Sequence, residues 1–217
     1  MNRKLLKRIL VTSAMAVLGV STSFAALVTE RDQSVDTAPS VGMYRFQVPA
    51  ELQGPYNSTG VANLTTSMEK EPNTLSMNVA HVKGNPSESY VVEIYKDLAA
   101  IEIHRKSDQY QAFVNEVGSK LTNRKVYDVQ SVLLFEKKDA LSIVNDGKAV
   151  MTLTEFTVDS NDIDTVQRQY ELDIERAVRD DAGYKAGYVL RERNAKNHWY
   201  VIQIYSDQDA LTKHLNS

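Results

Sequence analysis

A stretch of fifteen residues occurs twice in this chain, 110 positions apart. Residues 90–104 (YVVEIYKDLAAIEIH) lie without a gap over residues 200–214 (YVIQIYSDQDALTKH). Seven pairs are identical: Tyr90/Tyr200, Val91/Val201, Ile94/Ile204, Tyr95/Tyr205, Asp97/Asp207, Ala100/Ala210 and His104/His214. Chance would give about one, so the stretch marks an internal repeat. The same offset pairs Phe46 with Phe156 and Val48 with Val158. Two related units therefore occupy residues 41–138 and 149–217.

Each unit reads the same way. A strand (42–48 and 149–158) leads into a helix, then two strands, then a second helix. In unit two, Ile163, Val166, Tyr170, Ile174 and Val178 recur at helical spacing on one face. Asp159 or Ser160 can cap that helix and Gly183 can close it. Strands over 184–193 and 198–205 form a hairpin, as do strands over 74–83 and 89–96 joined through Gly84, Asn85 and Pro86. Asp97 and Asp207 stand where strand gives way to helix and are N-cap candidates.

In unit one, Ser107 and Asp108 open a further helix carrying Tyr110, Phe113, Val117 and Leu121. A last strand over 129–137 completes βαββαβ, the ferredoxin-like order. Unit two stops three residues after His214 and reads as a truncated copy. The predicted fold class is α+β. Two ferredoxin-like units in tandem pack sheet against sheet as a barrel-like pseudo-dimer. The missing strand predicts an exposed sheet edge in unit two, through which a second copy can pair as a homo-oligomer.

The first 25 residues read as an export signal. Arg3, Lys4, Lys7 and Arg8 precede a mostly apolar run over 9–20, then small residues suited to cleavage after Ala25. The apolar run is shorter than the roughly 20 residues of a membrane span, so no stable membrane anchor is expected after cleavage. The expected location is across the inner membrane, periplasmic in a Gram-negative host. Residues 26–40 are polar and aperiodic, which predicts a flexible leader.

Composition removes several function classes. The chain has no Cys, which excludes disulfide frameworks, thiolate zinc sites and cysteine nucleophiles. Its 25 Lys+Arg against 28 Asp+Glu give no basic surplus, so no nucleic-acid partner is expected. No HxxEH spacing, Gly-rich phosphate loop or paired-Asp cluster occurs, so no metal and no cofactor is predicted.

The run from Glu93 through Tyr95, Asp97, Ala100 and His104 to Ser107 and Tyr110 resembles the signature of the antibiotic biosynthesis monooxygenase domain family. The run Glu71-Pro72-Asn73-Thr74-Leu75 is similar to that family's E-P-G-T-L segment. Unit two resembles it through Tyr205, Asp207, Ala210 and His214. The resemblance implies a dimeric α+β barrel whose members include small cofactor-independent monooxygenases of quinols and polyphenols. Haem-degrading members and an isomerase of a phosphorylated autoinducer share the fold. The haem-degrading pattern is disfavoured, because His104 stands at its Trp position, Val114 near its ligand position, and Tyr44, Arg45 and Phe46 supply no Asn on the first strand.

His104 is the leading catalytic candidate. An imidazole titrates near neutrality and can take a proton from a phenol, leaving an electron-rich anion able to reduce dioxygen. Its alternative role is structural, bonded to a backbone carbonyl or a neighbouring strand. Tyr95 and Glu93 share one face of their strand. Tyr95 can hydrogen-bond a substrate oxygen, and Glu93 can orient His104 or act as a base. Unit two has Gln203 in place of Glu93, so unit one is the better candidate. Asn63, Met77, His81, Tyr110 and Phe113 are expected around a substrate pocket, with core packing as their alternative. The expected activity is oxygenation of a quinol-like or other electron-rich aromatic molecule by dioxygen. The alternatives are a non-catalytic binding protein on the same fold and, less favoured, an isomerase.

Overall fold

The computed structural model describes residues 7–16, 28–29, 39–137 and 147–216. The predicted cleavage site and most of the predicted leader lie outside the described residues. Unit one runs β3 (Ser40–Gln47), α1 (Gln53–Lys70), β4 (Thr74–Val82), β5 (Asn85–Tyr95), α2 (Leu98–Lys106), α3 (Asp108–Glu116), β6 (Thr122–Tyr127) and β7 (Val129–Glu136). Unit two runs β8 (Val150–Thr157), α4 (Ile163–Asp180), β9 (Tyr184–Glu192), β10 (His198–Tyr205) and α5 (Gln208–Leu215). Two strands precede them, β1 (Lys7–Ala16) and β2 (Val28–Thr29). The starts of β3 and β8, α1 and α4, β4 and β9, and α2 and α5 all differ by the 110 positions of the sequence repeat.

The caps explain part of this register. Asp97 accepts from the Ala100 amide at 2.9 Å and Asp207 from the Ala210 amide at 2.7 Å, so the same residue starts the second helix of each unit. Ser107 separates α2 from α3. Its hydroxyl donates to the His104 carbonyl at 2.7 Å and accepts from the Tyr110 amide at 3.4 Å. The chain thus turns between His104 and Tyr110 and leaves both rings on the same side.

All strand pairs are antiparallel, in the order β2-β7-β9-β10-β8-β1-β4-β5-β3-β6. β6 and β7 stand near opposite ends of that order yet meet in sequence at Asp128, so the sheet closes on itself as a barrel. The last strand expected over 129–137 is β7, and a further strand, β6, precedes it. β6 pairs with β3 inside unit one, and β7 crosses over to pair with β9 of unit two.

β1 does the corresponding job at the opposite seam. Its backbone pairs with β8 from Lys7 to Thr12 and with β4 from Val11 to Ala16. In the full chain β1 covers the edge of β8 that was expected to be exposed, since that edge otherwise leaves a row of unpaired amides and carbonyls.

Alternation along each strand sends one set of side chains into the barrel and the other under the helices. Met43, Tyr90, Val92, Ile94 and Leu134 meet Met151, Leu153, Tyr188, Leu190, Tyr200 and Ile202 in a core shared by both units. Under the helices of unit one lie Phe46, Val48, Tyr56, Leu64, Met77, Val79, Val91, Tyr95 and Val117. Ile174, Val178, Tyr184, Trp199, Val201 and Tyr205 form the equivalent layer in unit two.

The shared core contains a polar cluster around Tyr188. Tyr188 Oη donates to Glu136, Ser76 Oγ lies 3.2 Å from the same hydroxyl, and Asn78 Nδ2 donates to Ser76 Oγ at 3.0 Å. Burial pushes the Glu136 carboxyl up to about 7 from 4.5. A carboxyl raised in the folded state binds its proton more tightly there than when unfolded. Its contribution to stability is complete below about pH 4.5 and is lost as pH rises through about 7. Urea unfolding at both ends of that window is expected to show a loss on the order of 2–3 kcal/mol that Glu136→Gln removes. An undiminished loss in the variant would assign it to other groups.

Candidate active site

Helix α1 presents Tyr56, Gly60, Asn63, Leu64 and Ser67 to the sheet at helical spacing, all buried. α2 and α3 lie beside it, and the three helices leave a cavity of about 200 Å³ over the outer face of β3, β4 and β5. Its deep wall is made by Tyr56, Asn63, Leu64, Val79, Val91, Glu93, Tyr95 and His104, all buried. Tyr44, Tyr110 and Phe113 line it at intermediate depth, while Arg105, Ser119 and Arg124 stand at its exposed end.

His104 is 1% exposed and held by an acid that the sequence reading did not single out as a site residue. Its Nδ1 lies 3.1 and 3.2 Å from the two carboxylate oxygens of Glu71, and 3.2 Å from Ser67 Oγ. Glu71 is itself fixed. It accepts from Thr74 Oγ1 at 2.6 Å and from Gln109 Nε2 at 2.6 Å, and Gln109 Nε2 also reaches Ser67 Oγ at 3.1 Å. A carboxylate only accepts, so the Nδ1–H donates to Glu71 and the neutral ring keeps its lone pair on Nε2. That Nε2 is buried with no hydrogen-bond partner among the described residues. The Tyr95 and Tyr110 rings hold the imidazole between them, with centroids 5.5 and 4.9 Å away.

Glu93 and Tyr95 share a strand face as expected, and Tyr95 Oη donates to Glu93 Oε2 at 3.0 Å. The role of orienting His104, entertained for Glu93, falls to Glu71. Burial pushes the Glu93 carboxyl above the usual carboxylate range. Burial and the adjacent Glu93 push the Tyr95 hydroxyl far above the phenol range. Tyr56 is pushed up to about 12, mainly by burial, with its hydroxyl 2.8 Å from Ser89 Oγ. Gly42 makes room at the edge of this group: a Cβ there would lie 2.9 Å from Tyr44 Oη and 3.2 Å from Glu93 Oε2.

Of the residues expected around a substrate, Asn63, Tyr110 and Phe113 line the cavity, and Asn63 Oδ1 is buried without a partner among the described residues. Met77 and His81 do not line it. Met77 packs in the layer beneath the helices. His81 sits further along β4, with its Nε2 3.3 Å from Asn57 Oδ1 and its ring edge-on to Tyr56. Tyr44, Arg105 and Arg124 line the cavity without having been named as site residues. Their signal in sequence was weak, since β6, which carries Arg124, reads as a polar loop.

The repeat carries the acid–imidazole pair into unit two. Asp181 stands at the position of Glu71, and its Oδ2 lies 3.4 Å from His214 Nδ1. Tyr184 replaces Thr74 and fills the space: its ring packs on those of Tyr205 and His214, each with centroids 5.2 Å away. Tyr184 is completely buried. The cavity described above therefore belongs to unit one.

Comparison with known proteins follows the same division. The model of the antibiotic biosynthesis monooxygenase family matches residues 41–116 and 149–217. Among solved structures, the chain is similar to a "putative monooxygenase" from Lactobacillus acidophilus NCFM, with 18% identity and a TM-score of 0.76 over 83% of this chain and 82% of that one. It is also similar to a "putative monooxygenase" from Fusobacterium nucleatum, with 21% identity and a TM-score of 0.68 over the same shares. At these identities the likeness bears on the fold. No curated protein matches the chain.

Proposed function

The chain belongs to the antibiotic biosynthesis monooxygenase family, and on that premise we propose that unit one is a cofactor-independent monooxygenase of an electron-rich, single-ring phenol or quinol. The observation that carries the reading is the buried His104, which lines a largely apolar cavity, with its Nδ1 fixed by Glu71 and its Nε2 without a partner among the described residues. The cavity volume of about 200 Å³ suits one ring, since dry cavities of about 150 Å³ take up benzene.

In this reading Nε2 accepts the proton of a substrate hydroxyl. The phenolate passes electrons to dioxygen, and the ring carbon forms a bond to one oxygen atom. A quinol and dioxygen become a hydroxyquinone and water, with the substrate supplying all four electrons and no external reductant. Asn63 Oδ1 can accept from a second hydroxyl. The Glu71 carboxylate stabilises the imidazolium formed by the transfer.

The test is oxygen uptake by the purified chain with a panel of quinols and no added cofactor. Thermal stabilisation by the same compounds without oxygen uptake would hand the cavity to the binding-protein reading. Turnover under strictly anaerobic conditions would favour an isomerase.

We also propose that residues 1–25 direct export to the periplasm, on the basic–apolar–small pattern of that segment. β1 lies within this segment. A chain beginning at Ala26 would need another strand between β8 and β4, and a second copy is one source. Mass measurement of the exported protein is expected to give Ala26 as the first residue, and an intact N-terminus would contradict cleavage.

A further inference from the structure

We propose that Arg105 and Arg124 form an anion-binding end of the unit-one cavity, so that the substrate is an aromatic ring bearing a carboxylate on the side away from its reacting hydroxyl. The oxygenation part of this statement rests on the function proposed above, whereas the anion site rests on geometry alone. The cavity is polarised from end to end. Its deep wall includes His104 and Asn63, whose Nε2 and Oδ1 are buried without a hydrogen-bond partner among the described residues, and its open end carries two guanidinium groups.

The two arginines converge on one ring. The Arg124 guanidinium lies 5.9 Å from the centroids of both Tyr44 and Phe46, which fixes a weakly hydrated cation over aromatic faces. Among the described residues, Arg124 has no carboxylate partner. Arg105 sits beside the Tyr44 hydroxyl, and its ion pair with Glu102, at 2.9 Å, is exposed on both sides. An exposed pair of this kind contributes little and yields readily to a ligand anion. A carboxylate placed between the guanidiniums would gain charge-assisted hydrogen bonds from planar forks. Its ring would lie against Tyr44, Phe46 and Phe113, with its hydroxyl edge toward His104. Glu93, the carboxyl that lines the cavity, is shifted by burial toward its neutral form and so repels an incoming anion less than an ordinary carboxylate does.

The probes are gentisate, a hydroquinone bearing one carboxylate, and its neutral primary amide, titrated calorimetrically under anaerobic conditions so that turnover does not intervene. Gentisate is expected to bind at least about ten-fold more tightly than the amide, and its affinity alone to fall with added salt. Arg124→Gln and Arg105→Gln are each expected to shrink that ratio, and the double variant to abolish it. Both side chains are exposed, so folding is retained, and thermal melts verify it. Equal affinities, no binding of gentisate, or a preference that survives both substitutions would overturn the anion site. A preference that behaves as expected while neither compound consumes oxygen would keep the anion site and reject the oxygenase reading.

Discussion

His104→Gln is expected to lower kcat/KM for quinol oxidation by about 100-fold or more while leaving the cavity intact. Positioned general bases contribute about 10²–10⁴ in rate, and the glutamine amide has no basic nitrogen to receive a proton. Glutamine is close to histidine in reach and keeps an N–H for Glu71, so the acid is not abandoned in the core. The loss should fall on kcat more than on KM, because the proton moves only as the reaction proceeds. Anaerobic binding of the quinol checks the second half of that statement. A variant that binds as before but turns over slowly fits a base, whereas equal turnover reduces His104 to a packing residue held by Glu71.

The second large effect belongs to Glu71, which acts through His104 and so counts as a positioning residue. Glu71→Gln places an amide N–H where a carboxylate faced Nδ1. The ring then gains by taking the other tautomer, with its proton on Nε2 toward the cavity, and the base is lost although both residues stay in place. A fall in kcat of about 10²–10⁴ is expected, with a smaller change in KM. Glu71→Asp keeps the acceptor and should recover part of the rate. A purely structural role for Glu71 predicts the reverse, with stability lost in both variants and the rate per folded molecule preserved. The hydrogen bonds from Thr74 and Gln109 make some loss of stability certain, so the rate must be measured on the folded fraction.

Much of this arrangement was written in the sequence. The 110-residue offset gave the two units, the element order and both Asp caps, because a repeat preserves local backbone chemistry even where side chains diverge. His104 and its neighbours Glu93 and Tyr95 stood out through the same repeat. Glu71 was legible in principle. It opens the Glu71-Pro72-Asn73-Thr74-Leu75 run, and Asp181 repeats its charge opposite His214. An acid recurring at the same offset as a histidine signals a pair, but a separation of 33 positions along the chain hides the contact.

Other features were not legible for physical reasons. β6 is an edge strand with five of six residues exposed, so it has neither apolar alternation nor a buried face to announce it. β1 coincides with an apolar run whose composition suits an export signal equally well, and periodicity does not separate the two. Met77 and His81 point to the helix-covered face of β4, as a pocket would require. How far along a strand a cavity extends depends on where the helices cross it, and only the packed structure supplies that.

The central claim is that one buried imidazole, with no added cofactor, drives oxygen insertion in unit one. Oxygen uptake by the purified chain and by His104→Gln, with isotope-labelled dioxygen and a quinol substrate, tests it most directly. The account predicts that one labelled atom enters the product, the other appears in water, and the variant is at least about 100-fold slower. Undiminished uptake by the variant, or binding of every quinol with no uptake by the parent chain, would contradict it.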